Sequence, residues 1–232
     1  MLAFSSLLGN VEGQNIYRIW YDKPASYWEE ALPVGNGRIA AMVFGDPQLE
    51  QIQLNEETVS AGSPYQNYNE EAKTALPEMR RLIFEGKYEE AQNMAATKIL
   101  SQVGNEMPYQ TVGRLNIRYQ DHKKVSNYYR DLDISNAMTV TRYKVDGVEF
   151  TEETFASFTD QLVIRHIKSS KPGAINCELF FNTPMRDPKR SIYGKKGLRL
   201  EGITHGSRYF PGKVHYLSLI HISEPTRPEP IS

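Results

Sequence analysis

Apolar residues recur with two different periods along this chain, and the switch between them organises it. Tyr17-Arg18-Ile19-Trp20-Tyr21 is β-branched and aromatic and closes on Asp22-Lys23-Pro24, a strand followed by a turn. Gly37 to Gly45 is an apolar run bounded by glycines, and Leu49 to Asn55 alternates partially, as a half-buried strand does. From Asn69 to Ser101 the spacing becomes helical, with Leu76, Met79, Leu82 and Ile83, then Ala91, Met94 and Ala95, and a break at Gly86. Asn69 is placed to cap this segment, with Glu70 and Glu71 in the first turn, where the helix dipole favours negative charge. After Gly113 the period of two returns in Arg114–Tyr119, Tyr128–Ile134, Met138–Val145, Val148–Phe155, Gln161–Lys168, Ile175–Phe181 and Leu198–Ile203. Asp146-Gly147 between two of these runs is a hairpin signal, because both turn residues must take positive φ. The pattern predicts a mainly β chain of about nine or ten antiparallel strands in a large sandwich, with a helical hairpin inserted.

Composition narrows the function classes. Lys and Arg total 27 and Asp and Glu 28, for a net charge of −1, without the positive surplus that binds nucleic acid. No apolar run is long enough for a membrane-spanning helix. A single cysteine, Cys177, excludes an intramolecular disulfide framework and a Cys-rich zinc site. The five histidines are dispersed, and no motif calls for a metal or a cofactor. Tyrosine dominates the aromatics, 14 against 9 Phe and 2 Trp, which suits β-structure and carbohydrate-facing surfaces.

The two ends differ from the middle. Residues 1–14 carry the apolar stretch Leu2-Ala3-Phe4-Ser5-Ser6-Leu7-Leu8, read as the remnant of a secretory signal lacking its basic opening, or as a frayed segment. The first reading places the protein in a secreted or periplasmic, bacterial setting, where one free cysteine is acceptable. Leu217 to Arg227, LSLIHISEPTR, matches one reading frame of a transposase-based sequencing adaptor residue for residue. Residues 217–232 are therefore expected to be a non-native tail, and residues 15–216 one domain, incomplete at its C-terminal end.

Two clusters could carry chemistry: Trp28 to Arg38 and Gln53 to Thr58. Each sets amide and charged side chains beside a strand end, where loops present functional groups. Asn, Gln, Glu and Arg near a Trp offer hydrogen bonds for sugar hydroxyls and a face for the ring. The plainer alternative is that Gly35-Asn36-Gly37 is a tight turn, Asn55 caps a turn, and Glu56 and Glu57 are solvated. A hydrolase needs two carboxylates or equivalents across the scissile bond, and spacing alone cannot place a partner for Glu56.

These clusters closely resemble the N-terminal domain of glycoside hydrolase family 95, the α-L-fucosidases. The resemblance is carried by Trp20-Tyr21-Asp22-Lys23-Pro24-Ala25, Trp28 to Arg38, Ala41 to Gly45 and Ile52 to Thr58. Arg81 to Ala91, Tyr129 to Asp133 and Tyr143 to Ser157 fit as well, so most of residues 17 to 183 is covered in order. Val59-Ser60-Ala61-Gly62 departs from it, where the family usually carries an aromatic. The resemblance implies an N-terminal β-supersandwich packed on a helical (α/α)6 barrel, which holds a Glu general acid and a water positioned by Asn and Asp. It further implies inverting hydrolysis of terminal α-L-fucosyl bonds on fucosylated glycans, or of a related sugar such as L-galactose. None of the catalytic residues carries over to this chain, which alone is expected to be inactive. Trp28, Asn36, Arg38, Asn55 and Glu56 are the candidates for the barrel interface or the substrate rim. The rival reading is a free-standing carbohydrate-binding sandwich without catalysis. Related phosphorylases that share the sandwich-plus-barrel plan are a third possibility.

Overall fold

The computed structural model describes residues 17–60, 68–101, 109–206 and 212–223. The signal-like residues 1–14 and the last nine of the tail lie outside the described residues. Two compact units are present, Met1–Glu57 with Gly113–Thr183, and Thr58–Val112 with Pro184–Ser232.

The first unit is the expected sandwich. Its strands are β1 (Arg18–Tyr21), β2 (Leu32–Gly35), β3 (Ile39–Val43), β4 (Leu49–Glu56), β5 (Gly113–Tyr119), β6 (Val125–Asp133), β7 (Met138–Val145), β8 (Val148–Ser157), β9 (Leu162–Ser169) and β10 (Cys177–Asn182). They form two five-stranded sheets, β1-β6-β7-β8-β9 and β10-β5-β4-β3-β2. Every pairing in both sheets is antiparallel. Val34, Ala41, Ile52, Ile117 and Tyr119 from one sheet close over Val163 and Ile167 from the other, which makes the shared core. Asp146 and Gly147 take φ of +48° and +82° and join β7 to β8 through the tight hairpin that their sequence predicts. β2 escaped the periodicity because Pro33 interrupts it. Proline lacks the N–H a central strand must donate, and β2 tolerates it as an edge.

The second unit holds the helical pair and a smaller sheet. The helices are α1 (Ala72–Phe84) and α2 (Tyr88–Met94), the latter continued by one wide turn, Ala95–Ile99. Asn69 does not cap α1, which begins after Glu71. Its Oδ1 accepts the Glu71 N–H at 3.0 Å, while its Nδ2 donates to the Thr97 and Leu100 carbonyls at 3.1 and 3.3 Å. The side chain is spent on tying the two ends of the hairpin together. The sheet is β11 (Arg186–Ile192), β12 (Gly197–Ile203) and β13 (His215–His221), all antiparallel. β11 has no apolar face and is exposed throughout, so it carried no period to read. β13 includes Leu217–His221, whose alternating apolar positions suffice for strand pairing whatever their origin.

Candidate functional site

Four of the five expected site residues come together at one end of the β2-β3-β4 ladder. Gly35 pairs with Ala40, and the chain turns through Asn36 to Arg38, with Gly37 at φ +92°. The Asn36 side chain uses both of its ends. Oδ1 accepts the backbone N–H groups of Arg38 and Ile39 at 3.1 and 2.9 Å, which shapes the turn. Nδ2 donates to the Ser157 carbonyl at 2.7 Å and to Gln161 Oε1 at 3.2 Å, which pins that turn to the β8–β9 loop. Across β4, Ile39 pairs with Glu56 and Ala40 with Asn55. Arg38 Nε donates to Glu56 Oε1 at 3.1 Å, so the exposed guanidinium lies over the end of β4.

The fifth residue, Trp28, lies apart. It stands in a short 3-10 turn (Trp28–Glu30) before β2, with the length of that strand between it and Asn36. Its ring is exposed. The segment is held from below by Arg130, which is fully buried and donates to the Lys23 and Glu30 carbonyls at 2.8 and 2.7 Å. Arg130 also lies over the Tyr21 ring at 4.1 Å. Gly45, at φ +75°, makes room for this arrangement: a Cβ there would meet the Tyr128 hydroxyl at 2.7 Å and Arg130 Cδ at 2.8 Å.

The Asn36 cluster gains neighbours that sequence spacing could not supply. The β8–β9 loop adds Gln161, whose Nε2 donates to the Phe158 carbonyl, and the exposed ring of Phe158 itself. The exposed Phe158 ring and the exposed Arg38 guanidinium are the groups here that a sugar could meet, since the amide donors are already engaged. The cluster is not suited to hydrolysis. Glu56 is tied to Arg38, and Asp160 accepts the Ser157 hydroxyl at 2.8 Å.

One carboxyl is pushed upward, and it is sealed inside the sandwich. Glu50 on β4 is fully buried, and burial raises it to about 7, with Arg165 pulling down and Glu152 pushing up. Its Oε1 accepts the N–H groups of Phe44, Gly45 and Gln51, at 3.1, 2.9 and 3.0 Å. Arg165 on β9 donates to Glu50 Oε2 at 2.6 Å, to the Thr154 hydroxyl at 2.7 Å, and to Glu152 on β8. Tyr119 and Tyr143 both donate to Glu152 Oε1, at 2.7 and 2.6 Å. Two carboxylates on one guanidinium could pass for a catalytic pair, but every member is enclosed and engaged. The cluster joins the two sheets.

The family model described as the glycosyl hydrolase family 65 N-terminal domain matches residues 19–227. The chain belongs to that family. The expected likeness to fucosidase N-terminal domains is met by relatives of that kind. Over 181 residues the domain is 35% identical to "Alpha-L-fucosidase 2" of Arabidopsis thaliana, covering 75% of this chain and 21% of that protein. It is 26% identical over 162 residues to "Probable alpha-fucosidase A" of Aspergillus niger, covering 66% and 20% of the two chains. It is likewise 26% identical over 174 residues to "Probable alpha-fucosidase A" of Aspergillus oryzae, covering 71% and 23%. The glycosyl hydrolase N-terminal domain thus spans about a fifth of the length of these curated relatives.

The pin at Asn36 makes a direct prediction. Asn36→Ala removes two side-chain donor bonds and two acceptor bonds, and should lower stability by about 1–3 kcal/mol. Asn36→Asp keeps the acceptor side but turns a carboxylate oxygen on the Ser157 carbonyl, so it should also fall below the wild type. Chemical unfolding of the three proteins checks this, and equal midpoints would remove the pin from the account.

Proposed function

We propose that this chain is the non-catalytic N-terminal domain of an exo-acting α-L-fucosidase-like glycoside hydrolase. Catalysis belongs to polypeptide outside this chain, an (α/α)6 barrel that hydrolyses terminal α-L-fucosyl bonds on glycans with inversion. The observation that carries the proposal is the run of similarity to proteins named as fucosidases, confined to about a fifth of their length. The sandwich supports it from the other side. Its raised carboxyl, Glu50, is sealed in the core, and burial pushes the Cys177 thiol up, away from nucleophilic use. In this reading Asn36, Arg38, Asn55 and Glu56 form a face toward the barrel or the substrate rim, with Trp28 on a separate part of that boundary. A secreted or periplasmic setting belongs to the same proposal and rests on the apolar stretch Leu2 to Leu8.

Reading the source DNA onward from the codon for Tyr216 tests the proposal. The expected result is a continuous frame into a long helical region carrying candidate Glu, Asn and Asp residues. A natural stop after Ser232 would remove the enzyme reading. Glycan binding by the sandwich alone would then become the function to measure.

A further inference from the structure

Trp20 stands on the edge strand β1 and is 61% exposed, an unusual setting for so large an apolar ring. Its ring lies nearly parallel to that of half-buried Tyr129 on β6, at 6.3 Å and 19°, so the two make one aromatic platform. Register fixes the face they occupy. Trp20 pairs with Asp131, two residues along β6 from Tyr129, and alternate residues of a strand share a face. Tyr129 pairs with Arg142, whereas the next residue of β7, Tyr143, packs into the core with Val145 and Phe150. The platform therefore lies on the outer face of the β1-β6-β7-β8-β9 sheet.

The charges of this face sort into pairs, with one left over. Arg18 donates to Asp131 at 2.5 Å and to Asp133 at 3.2 Å. Lys144 meets Glu149 at 2.7 Å, and Lys168 and His166 reach Glu153 at 3.2 and 3.3 Å. Each of these carboxylates is thus matched by a cation. Arg142 is exposed, and among the described residues its guanidinium has no ion-pair or hydrogen-bond partner. It stands directly across from Tyr129, at the cross-strand spacing of about 5 Å between Cβ atoms. Thr151, its partner on the other side, adds a hydroxyl.

An aromatic platform takes the apolar face of a pyranose ring, and an unmatched guanidinium takes a carboxylate. A neutral sugar uses the first only, and a polyanion without rings uses the second only. An open sheet face also admits the interior of a polymer, where a closed pocket takes a chain end. We propose that this face binds an acidic polysaccharide, one uronic acid ring lying on Trp20 and Tyr129 with its carboxylate on Arg142. The site is independent of the fucosidase reading, since it uses no residue of the Asn36 cluster and no catalytic group.

Calorimetric titration of the full chain with sodium polygalacturonate, a soluble neutral glucan and polyglutamate tests the proposal. Polygalacturonate should bind, and the other two should bind about tenfold more weakly or less. Trp20→Ala and Arg142→Gln should each weaken polygalacturonate binding about tenfold. Arg142→Gln should leave the melting temperature unchanged, because the side chain it replaces is exposed and unpartnered. Equal binding of polyglutamate and polygalacturonate would reduce the site to charge alone and overturn the proposal. Unaffected binding by either variant would overturn it as well. So would the absence of polygalacturonate binding, which would leave the platform to a protein neighbour.

Discussion

Arg165→Met should lower the unfolding free energy by about 3–5 kcal/mol, the cost of removing one partner from a buried ion pair. The methionine fills the volume of the arginine stem, so packing is largely kept and the loss is electrostatic. Glu50 and Glu152 are 0% and 1% exposed, and without Arg165 they face one another with no cation between them. Tyr119 and Tyr143 still donate to Glu152, and three backbone N–H groups still serve Glu50. Those bonds do not replace the missing charge. For a domain of this size the melting temperature should fall by roughly 10 °C or more. Replacing Glu50 and Glu152 by glutamine in the Arg165→Met background should restore part of the loss, since a neutral cluster carries no uncompensated charge. Urea unfolding of the three proteins reads both effects. A loss below about 1 kcal/mol for Arg165→Met would show that the cluster is hydrated, contrary to the enclosed arrangement.

The second large effect is on pH dependence. In the folded chain the Glu50 carboxyl sits at about 7, against an ordinary value of 4.5, chiefly because it is buried. Between those values the folded chain holds a proton that the unfolded chain has released. Stability from this group is therefore fully present below pH 4.5, declines as pH rises, and is lost above about 7. At about 1.4 kcal/mol per pKa unit the total is on the order of 3 kcal/mol. His122 works in the opposite direction. Burial holds it below its ordinary 6.5, so its contribution is lost as pH falls through that value. The two oppose each other just below pH 6.5. Glu50→Gln separates them: the stability of the wild type relative to the variant should fall steadily from pH 4.5 to 7. Parallel profiles would place Glu50 in the ordinary carboxylate range.

The strands were legible in the sequence because a half-buried strand writes its own period. The charged core was half legible. In β4, Glu50 shares inward parity with Ile52; in β8, Glu152 shares it with Phe150; in β9, Arg165 shares it with Val163 and Ile167. Each departure is visible, but their meeting is not, since Arg165 lies 115 residues from Glu50. The candidate site followed the same rule. The turn at Asn36 was readable, whereas its anchor on Ser157, 121 residues away, depends on how the sheets stack. Pro33 hid β2, and β11, exposed throughout with Ile192 its one large apolar residue, had no face to show. Trp28 was grouped with Asn36 by sequence proximity, but β2, extended between them, carries the two apart.

The central claim concerns where catalysis resides, and hydrolysis of a chromogenic α-L-fucoside tests it most directly. The assay compares this chain with the same chain joined to its natural continuation, with the anomer of released sugar followed by NMR. The chain alone should release nothing above buffer, while the continued polypeptide should release fucose first as the β anomer. Turnover by the chain alone, or none by the continued polypeptide, would contradict the assignment.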